Sequence, residues 1–343
     1  MVRRLSLVIV AAAALLAAGT RTARASDPGT AVPACDLTSA TPWVERWFNA
    51  WDLTSREILH IPTEAPPYFV FYDSLCVYTT SAVSAAGAAP IAGPRFQLSE
   101  LPWRAVAHDD SIRLPDSTRL AVQLMTFAGG SKEHGGVFFV MGSPTFWKSA
   151  GHGQEPGLTA VFLHEFAHTR QIPGMAAVMG PLDSAWTFPE PLSDDVVQLR
   201  FGRDSTYVAE YLAERDLLYE GARTGTDDEA RALAAKALGM MRARHARWFV
   251  DADSVFAALD DTFLSLEGAG QWTGQAWLAH PQGGGLTGDE AVSKMLGRRR
   301  WWSQDEGLAL FLLVDRLVPE WPSMVFRVPS AGAIELLERA VKP

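Results

Sequence analysis

Apolar and polar positions follow two regimes along this chain. Up to about residue 155, short aromatic and β-branched runs alternate with Gly- and Pro-rich stretches; beyond it, apolar residues recur at helical spacing. One early segment, Pro42 to Leu59, breaks the rule. Trp43, Trp47 and Trp51 stand there at i, i+4 and i+8, which predicts an amphipathic helix with an aromatic stripe. The stripe reads as core packing, with a ligand-binding face as the alternative. Pro67 to Thr80 predicts a strand pair, Ser81 to Pro94 a loop, and Thr118 to Phe127 and Gly135 to Met141 two further strands. The last of these is expected to offer a sheet edge on which an extended peptide could pair. His108 and His134 read as solvent-exposed residues rather than ligands.

Past residue 156, helices are predicted from Gly157 to a stop at Pro173-Gly174, over Ser205 to Gly221 and over Asp227 to Phe249. More follow near 252–280, 288–297, 305–318 and 330–341. Asp227-Asp228 are placed to cap the second arm of the hairpin. The pattern predicts an α+β fold. An N-terminal mixed-sheet lobe spans 26–155, a mainly helical lobe spans 156–343, and the helix at the boundary lies between them in one catalytic unit.

Composition adds compartment and partners. Arg3 and Arg4, the apolar run Leu5 to Ala18 and the Ala23-Arg24-Ala25 site predict a secretory signal over 1–25, cleaved before Ser26. That run is shorter than the roughly 18–20 residues of a spanning helix, and no later segment is long enough. The expected product is therefore secreted or periplasmic. Cleavage takes away four arginines and no acid, so the formal charge of −9 becomes more negative. Such a surface argues against nucleic acid or an anionic membrane as partner. Cys35 and Cys76 are expected to form a disulfide in an oxidising compartment. Arg298 to Trp302 is a basic-aromatic cluster, read as a solvated turn, with a polyanionic wall polymer as its alternative ligand.

The chemistry is carried by His164-Glu165-Phe166-Ala167-His168. On a helix, residues four apart share a face, so both imidazoles can reach one metal ion. Glu165 stands one step around, where a carboxylate can act on a water without ligating the metal. A catalytic zinc site needs a third ligand. The metzincin extension is absent, since Gln171 and Gly174 occupy the positions where that pattern has Gly and His.

At this point the chain resembles the gluzincins, HExxH zinc metallopeptidases whose third ligand is a helical glutamate, some with an E-G-x-A-x-Y motif. Glu267-Gly268-Ala269-Gly270-Gln271-Trp272 matches with Gly270 in place of Ala and Trp272 in place of Tyr. The resemblance implies Zn²⁺ held by His164, His168 and Glu267, with Glu165 as general base acting on a peptide or protein substrate. Glu214 is the rival third ligand, in a thermolysin-like order, and Glu210 stands third. An oxyanion partner is sought among Tyr207, Tyr211, Tyr219 and His245, with Tyr211 and His245 the leading candidates. A different class also fits: an exported, non-catalytic binding protein on a degenerate zinc-peptidase scaffold.

Overall fold

The structure, a computed structural model, describes residues 7–9, 35–131, 136–151, 153–189, 192–296 and 300–342. The expected signal segment lies outside these apart from Leu7–Ile9, as do His134, Arg298 and Arg299.

The fold is α+β, as the periodicity predicts. Leu7–Ile9 (β1) is followed by Thr41–Leu53 (α1), which widens into a π-helical turn over Thr54–Ile58. The strands are Tyr68–Tyr72 (β2), Cys76–Thr79 (β3), Arg104–Ala107 (β4), Ser111–Arg113 (β5), Arg119–Ala121 (β6), Thr126–Ser131 (β7) and Gly136–Gly142 (β8). They form a mixed sheet in the order β1-β7-β8-β2-β3-β4, with β5 and β6 as a separate hairpin. β2 and β8 run parallel with Phe69 opposite Phe139, and the other pairings are antiparallel. Alternation sorts the sheet's two faces. Phe69, Phe71, Phe139 and Met141 join the main core, while Val70, Tyr72, Phe138 and Val140 pack with Ile112 and Leu114 on the other side.

The strand at Gly136–Gly142 is not an edge. It bonds to β7 on one side and β2 on the other, so its backbone groups are already paired and cannot take up a substrate strand. Its apolar run fits this, since a strand covered on both faces needs no polar alternation.

Pro144–Ser149 (α2) leads to Gly157–Ala185 (α3), the helix that carries the HExxH residues. Next come Val196–Phe201 (α4), Ser205–Arg223 (α5), Asp227–Trp248 (α6), Val255–Ala279 (α7) and Gly288–Leu296 (α8). Trp302–Leu317 (α9), Trp321–Val325 (α10) and Ala333–Ala340 (α11) complete the chain. Thr226, not Asp227 or Asp228, caps α6, its hydroxyl accepting from Glu229 N–H; the two aspartates sit in the first turn, where negative charge suits the helix dipole.

Pro173-Gly174 does not end α3. The proline forfeits one backbone bond, but Ile172, Gly174, Met175 and Met179 are buried around it, and that packing carries the helix onward. Gly174 serves a close approach instead: a Cβ there would stand 2.3 Å from the Arg327 carbonyl oxygen.

α3 is apolar nearly all round because it is covered on both sides, by the sheet and α1 on one flank and by α7 on the other. The tryptophan stripe is core. Trp47 stacks on Phe162 at 5.1 Å between ring centroids, and Trp51 meets Phe166 edge-on at 4.8 Å. A single apolar cluster runs from Leu37 to Ala340, so sheet and helices share one core. The Cys35–Cys76 disulfide ties the segment before α1 to β3. Among the described residues, no helix is long and apolar enough to cross a membrane.

Candidate metal centre

α3 begins without a side-chain cap from Pro156, but the Glu155 carboxylate accepts from Thr159 N–H at 3.2 Å and from its hydroxyl at 2.7 Å. That anchors the first turn, and seven residues later the helix turns His164 and His168 toward α7. There they meet Glu267. His164 Nε2 lies 3.2 Å from Glu267 Oε2, His168 Nε2 lies 3.4 Å from Glu267 Oε1, and the two Nε2 atoms are 3.3 Å apart. All three residues are buried, and among the described residues they form the group that could hold a metal ion.

The spacing fits a small tetrahedral ion. Ligand atoms about 2.0–2.1 Å from such an ion stand roughly 3.3 Å from one another. The donor set fits as well, with two imidazoles and one carboxylate. An orphaned atom agrees: Glu267 Oε1 is buried without a hydrogen-bond partner, a costly arrangement that a cation bound by the three residues would relieve.

Proton placement follows from the surrounding amides. Gln171 donates through Nε2 to the Ser265 carbonyl at 3.1 Å, so its Oε1 faces His168 Nδ1 at 2.9 Å as an acceptor. His168 therefore carries its proton on Nδ1 and presents the Nε2 lone pair to the centre. Burial pushes the His168 imidazolium pKa down to about 4, which keeps the ring neutral at physiological pH. Glu267 is held in turn. Gln304 donates from Nε2 to Glu267 Oε2 at 3.1 Å, and Gln271 donates to Gln304 Oε1 at 2.8 Å. Burial pushes the Glu267 carboxyl up, but the hydrogen bond from His164 and the two imidazoles outweigh it and hold it below the usual range. Glu165 goes the other way: burial first, then the charges of Glu267 and Asp194, raise its carboxyl well above the ordinary value.

Gly270 is part of the centre by virtue of what it lacks. A Cβ on it would stand 2.9 Å from His164 Nδ1 and 3.1 Å from His168 Cε1. The two imidazoles, set nearly edge-on to each other at 84°, both crowd that stretch of α7, and only a glycine leaves them room. Two residues earlier, Gly268 meets Gly307, where a Cβ would fall 2.7 Å from the Gly307 carbonyl; this close crossing brings α9 and Gln304 within reach of Glu267.

The other sequence candidates lie elsewhere. Glu214 is buried with both oxygens on Arg244, at 2.9 and 3.0 Å, and is not brought to the histidines. Its carboxylate already has a cation, which is why the helical spacing misleads there. Glu210 pairs with Arg247 and accepts from the Trp248 indole. Tyr211 stacks on Trp302 at 4.3 Å, its hydroxyl 3.5 Å from the Trp302 carbonyl oxygen, and burial raises its pKa. His245 Nε2 bonds to Asp260 Oδ2 at 2.7 Å. The residues that sequence reasoning missed are Gln171, Gln304, Gly270 and Asp194. Gln171 was within reach, being three residues past His168 on one helix face. Gln304 and Asp194 join through tertiary packing, which leaves no local signal.

Comparison with family models, with curated proteins and with solved structures gives no match for this chain.

Proposed function

We propose that the protein is an exported zinc-dependent peptidase in which His164, His168 and Glu267 hold the ion and Glu165 moves the proton. The observation that carries this reading is the burial of three ligand atoms at tetrahedral spacing, with a carboxyl one step around the same helix. The gluzincin resemblance of both motifs points the same way. Export is supported by the signal-like first 25 residues and by the Cys35–Cys76 disulfide.

Bound zinc supplies a Lewis acid for the scissile carbonyl and lowers the pKa of water. The chain's residues do the rest. Gln171 and Gln304 fix the orientation of His168 and Glu267, so the ligand geometry is set before substrate arrives. Phe162, Leu163 and Phe166 keep bulk water from the α3 side. Glu165 accepts the proton of the attacking water at Oε2, the oxygen without a partner, and returns it to the leaving amine nitrogen.

The rival reading, a non-catalytic binding protein on this scaffold, draws on one observation: Tyr211 and His245, the expected oxyanion partners, are engaged with Trp302 and Asp260. One experiment separates the two. Zinc-loaded wild type is expected to hydrolyse a mixed peptide substrate, and Glu165→Gln to retain zinc while losing about 10²–10⁴-fold in kcat. Equal rates in both proteins contradict the role of Glu165; zinc binding without hydrolysis by wild type favours the binding protein.

A further inference from the structure

β4 is the last strand of the mixed sheet, and part of its outer edge is open. His108 donates its N–H to the Leu75 carbonyl at 3.0 Å, which fixes the phase of the pairing. Arg104 and Val106 therefore exchange bonds with Thr79 and Val77 of β3, while Ala105 and Ala107 turn their N–H and C=O groups outward. The start of that edge is covered. Ile91 donates to the Trp103 carbonyl at 2.7 Å, and the Arg104 side chain reaches the Ala88 carbonyl at 3.2 Å. From Ala105 to Ala107, about 10 Å of strand, no group among the described residues pairs with the outer side.

Beside this stretch lies a groove of about 500 Å³, lined by residues 83–86, by Val106 and Ala107, and by Arg113, Ser117 and Arg119 of the β5–β6 hairpin. The hairpin packs through Ile112 on the sheet face away from α3, so the groove is separate from the metal centre. Arg113 and Arg119 stand directly opposite each other in the hairpin register. Residues so placed share a face with Cβ atoms about 5 Å apart, where like charges repel. Arg119 meets one acid, Asp109, at 3.6 Å with both side chains largely exposed; among the described residues no acid pairs with Arg113. Asp116 does not line the groove: it is buried in the hairpin turn, where its Oδ1 accepts from Thr118 N–H.

Two unfavourable features thus meet in one groove, a like-charge pair and a length of unpaired strand. One ligand answers both. A carboxylate between the arginines removes their repulsion and accepts from their guanidinium N–H groups. An extended backbone supplies the partners that Ala105 and Ala107 lack, as strand addition does at other sheet edges. Acidic residues two apart on such a segment fall on the same face.

We propose that this groove docks an extended, acidic segment of a partner protein, which adds a strand to β4 at Ala105–Ala107 while its carboxylates bridge Arg113 and Arg119. The docking site is independent of the peptidase reading.

Fluorescence anisotropy with labelled peptides on the full chain tests it. Acetyl-Val-Glu-Val-Glu-Val-amide is expected to bind at least about tenfold more tightly than the same peptide with Gln for Glu, the worth of one charge-assisted hydrogen bond. The double variant Arg113→Gln, Arg119→Gln, altered only at exposed positions, is expected to lose that margin with its circular dichroism unchanged. Two further peptides carry N-methyl groups on every valine or on every glutamate. A strand turns alternate N–H groups to opposite sides, so one of these is expected to lose binding and the other to keep it. A like effect in both overturns strand addition. Equal binding of the glutamate and glutamine peptides, or no binding of either, overturns the docking site and leaves the arginines as charges that keep other chains off the edge.

Discussion

At the scale of single residues, the centre depends on Gly270 as much as on its ligands. A methyl group there would press into both imidazoles at 2.9–3.1 Å, so the rings must shift or α7 must back away. Gly270→Ala is expected to weaken zinc binding by about 10- to 100-fold, the usual effect of disturbing the groups around a ligand set, with little change in helix content. A zinc titration monitored by competition with a chromogenic chelator reads this directly, and an unchanged affinity would show that the rings have slack. Much of the centre was legible in the sequence: the His164–Glu165–His168 spacing states its own geometry, and the Glu267-Gly268 motif picked the third carboxylate over Glu214. The amides were not legible. Gln304 reaches Glu267 because Gly268 and Gly307 let two helices touch, a fact that belongs to packing rather than to any local pattern.

At the scale of elements, the period of each segment identified strands and helices, while its failures came where burial overrode local preference. Pro173-Gly174 reads as a stop, yet α3 continues because its surroundings are apolar. The run at Gly136–Gly142 reads as an available edge, yet its neighbours β2 and β7 claim both sides. The helical hairpin was legible from its turn, but its tie to α7 was not: the buried Arg244 that answers Glu214 across the hairpin also holds Asp260. Arg244→Met strands those carboxylates and is expected to cost about 3–5 kcal/mol in urea unfolding at pH 7. A loss within 1 kcal/mol would mean that the acids protonate without strain. Near the start of α4, burial and then the charge of Glu267 push the Asp195 carboxyl from 3.8 up to about 7. A carboxyl raised in the folded state lends its stability fully below its ordinary pKa, and that contribution fades as pH climbs toward the folded value. Between about pH 4 and about 7, then, the zinc-free protein is expected to lose stability, and Asp195→Asn to flatten the loss. Identical pH profiles for the two proteins would contradict this.

At the scale of the whole molecule, α3 and α7 are the two longest helices, and the ligands join them at mid-length. An ion held there couples the sheet-packed helix to the helical lobe, so binding is linked to global stability. Free zinc at a hundred times its dissociation constant adds about 2.7 kcal/mol, and chelation is expected to lower the melting midpoint by on the order of 5 °C. A midpoint indifferent to chelator would place any bound metal outside this junction. The most direct test of the account is zinc stoichiometry after dialysis, measured in wild type, Glu267→Gln and Glu214→Gln. About one zinc per chain is expected in wild type and in Glu214→Gln, and a large loss in Glu267→Gln; zinc retained in Glu267→Gln, or absent from wild type, rules out a zinc centre at His164, His168 and Glu267.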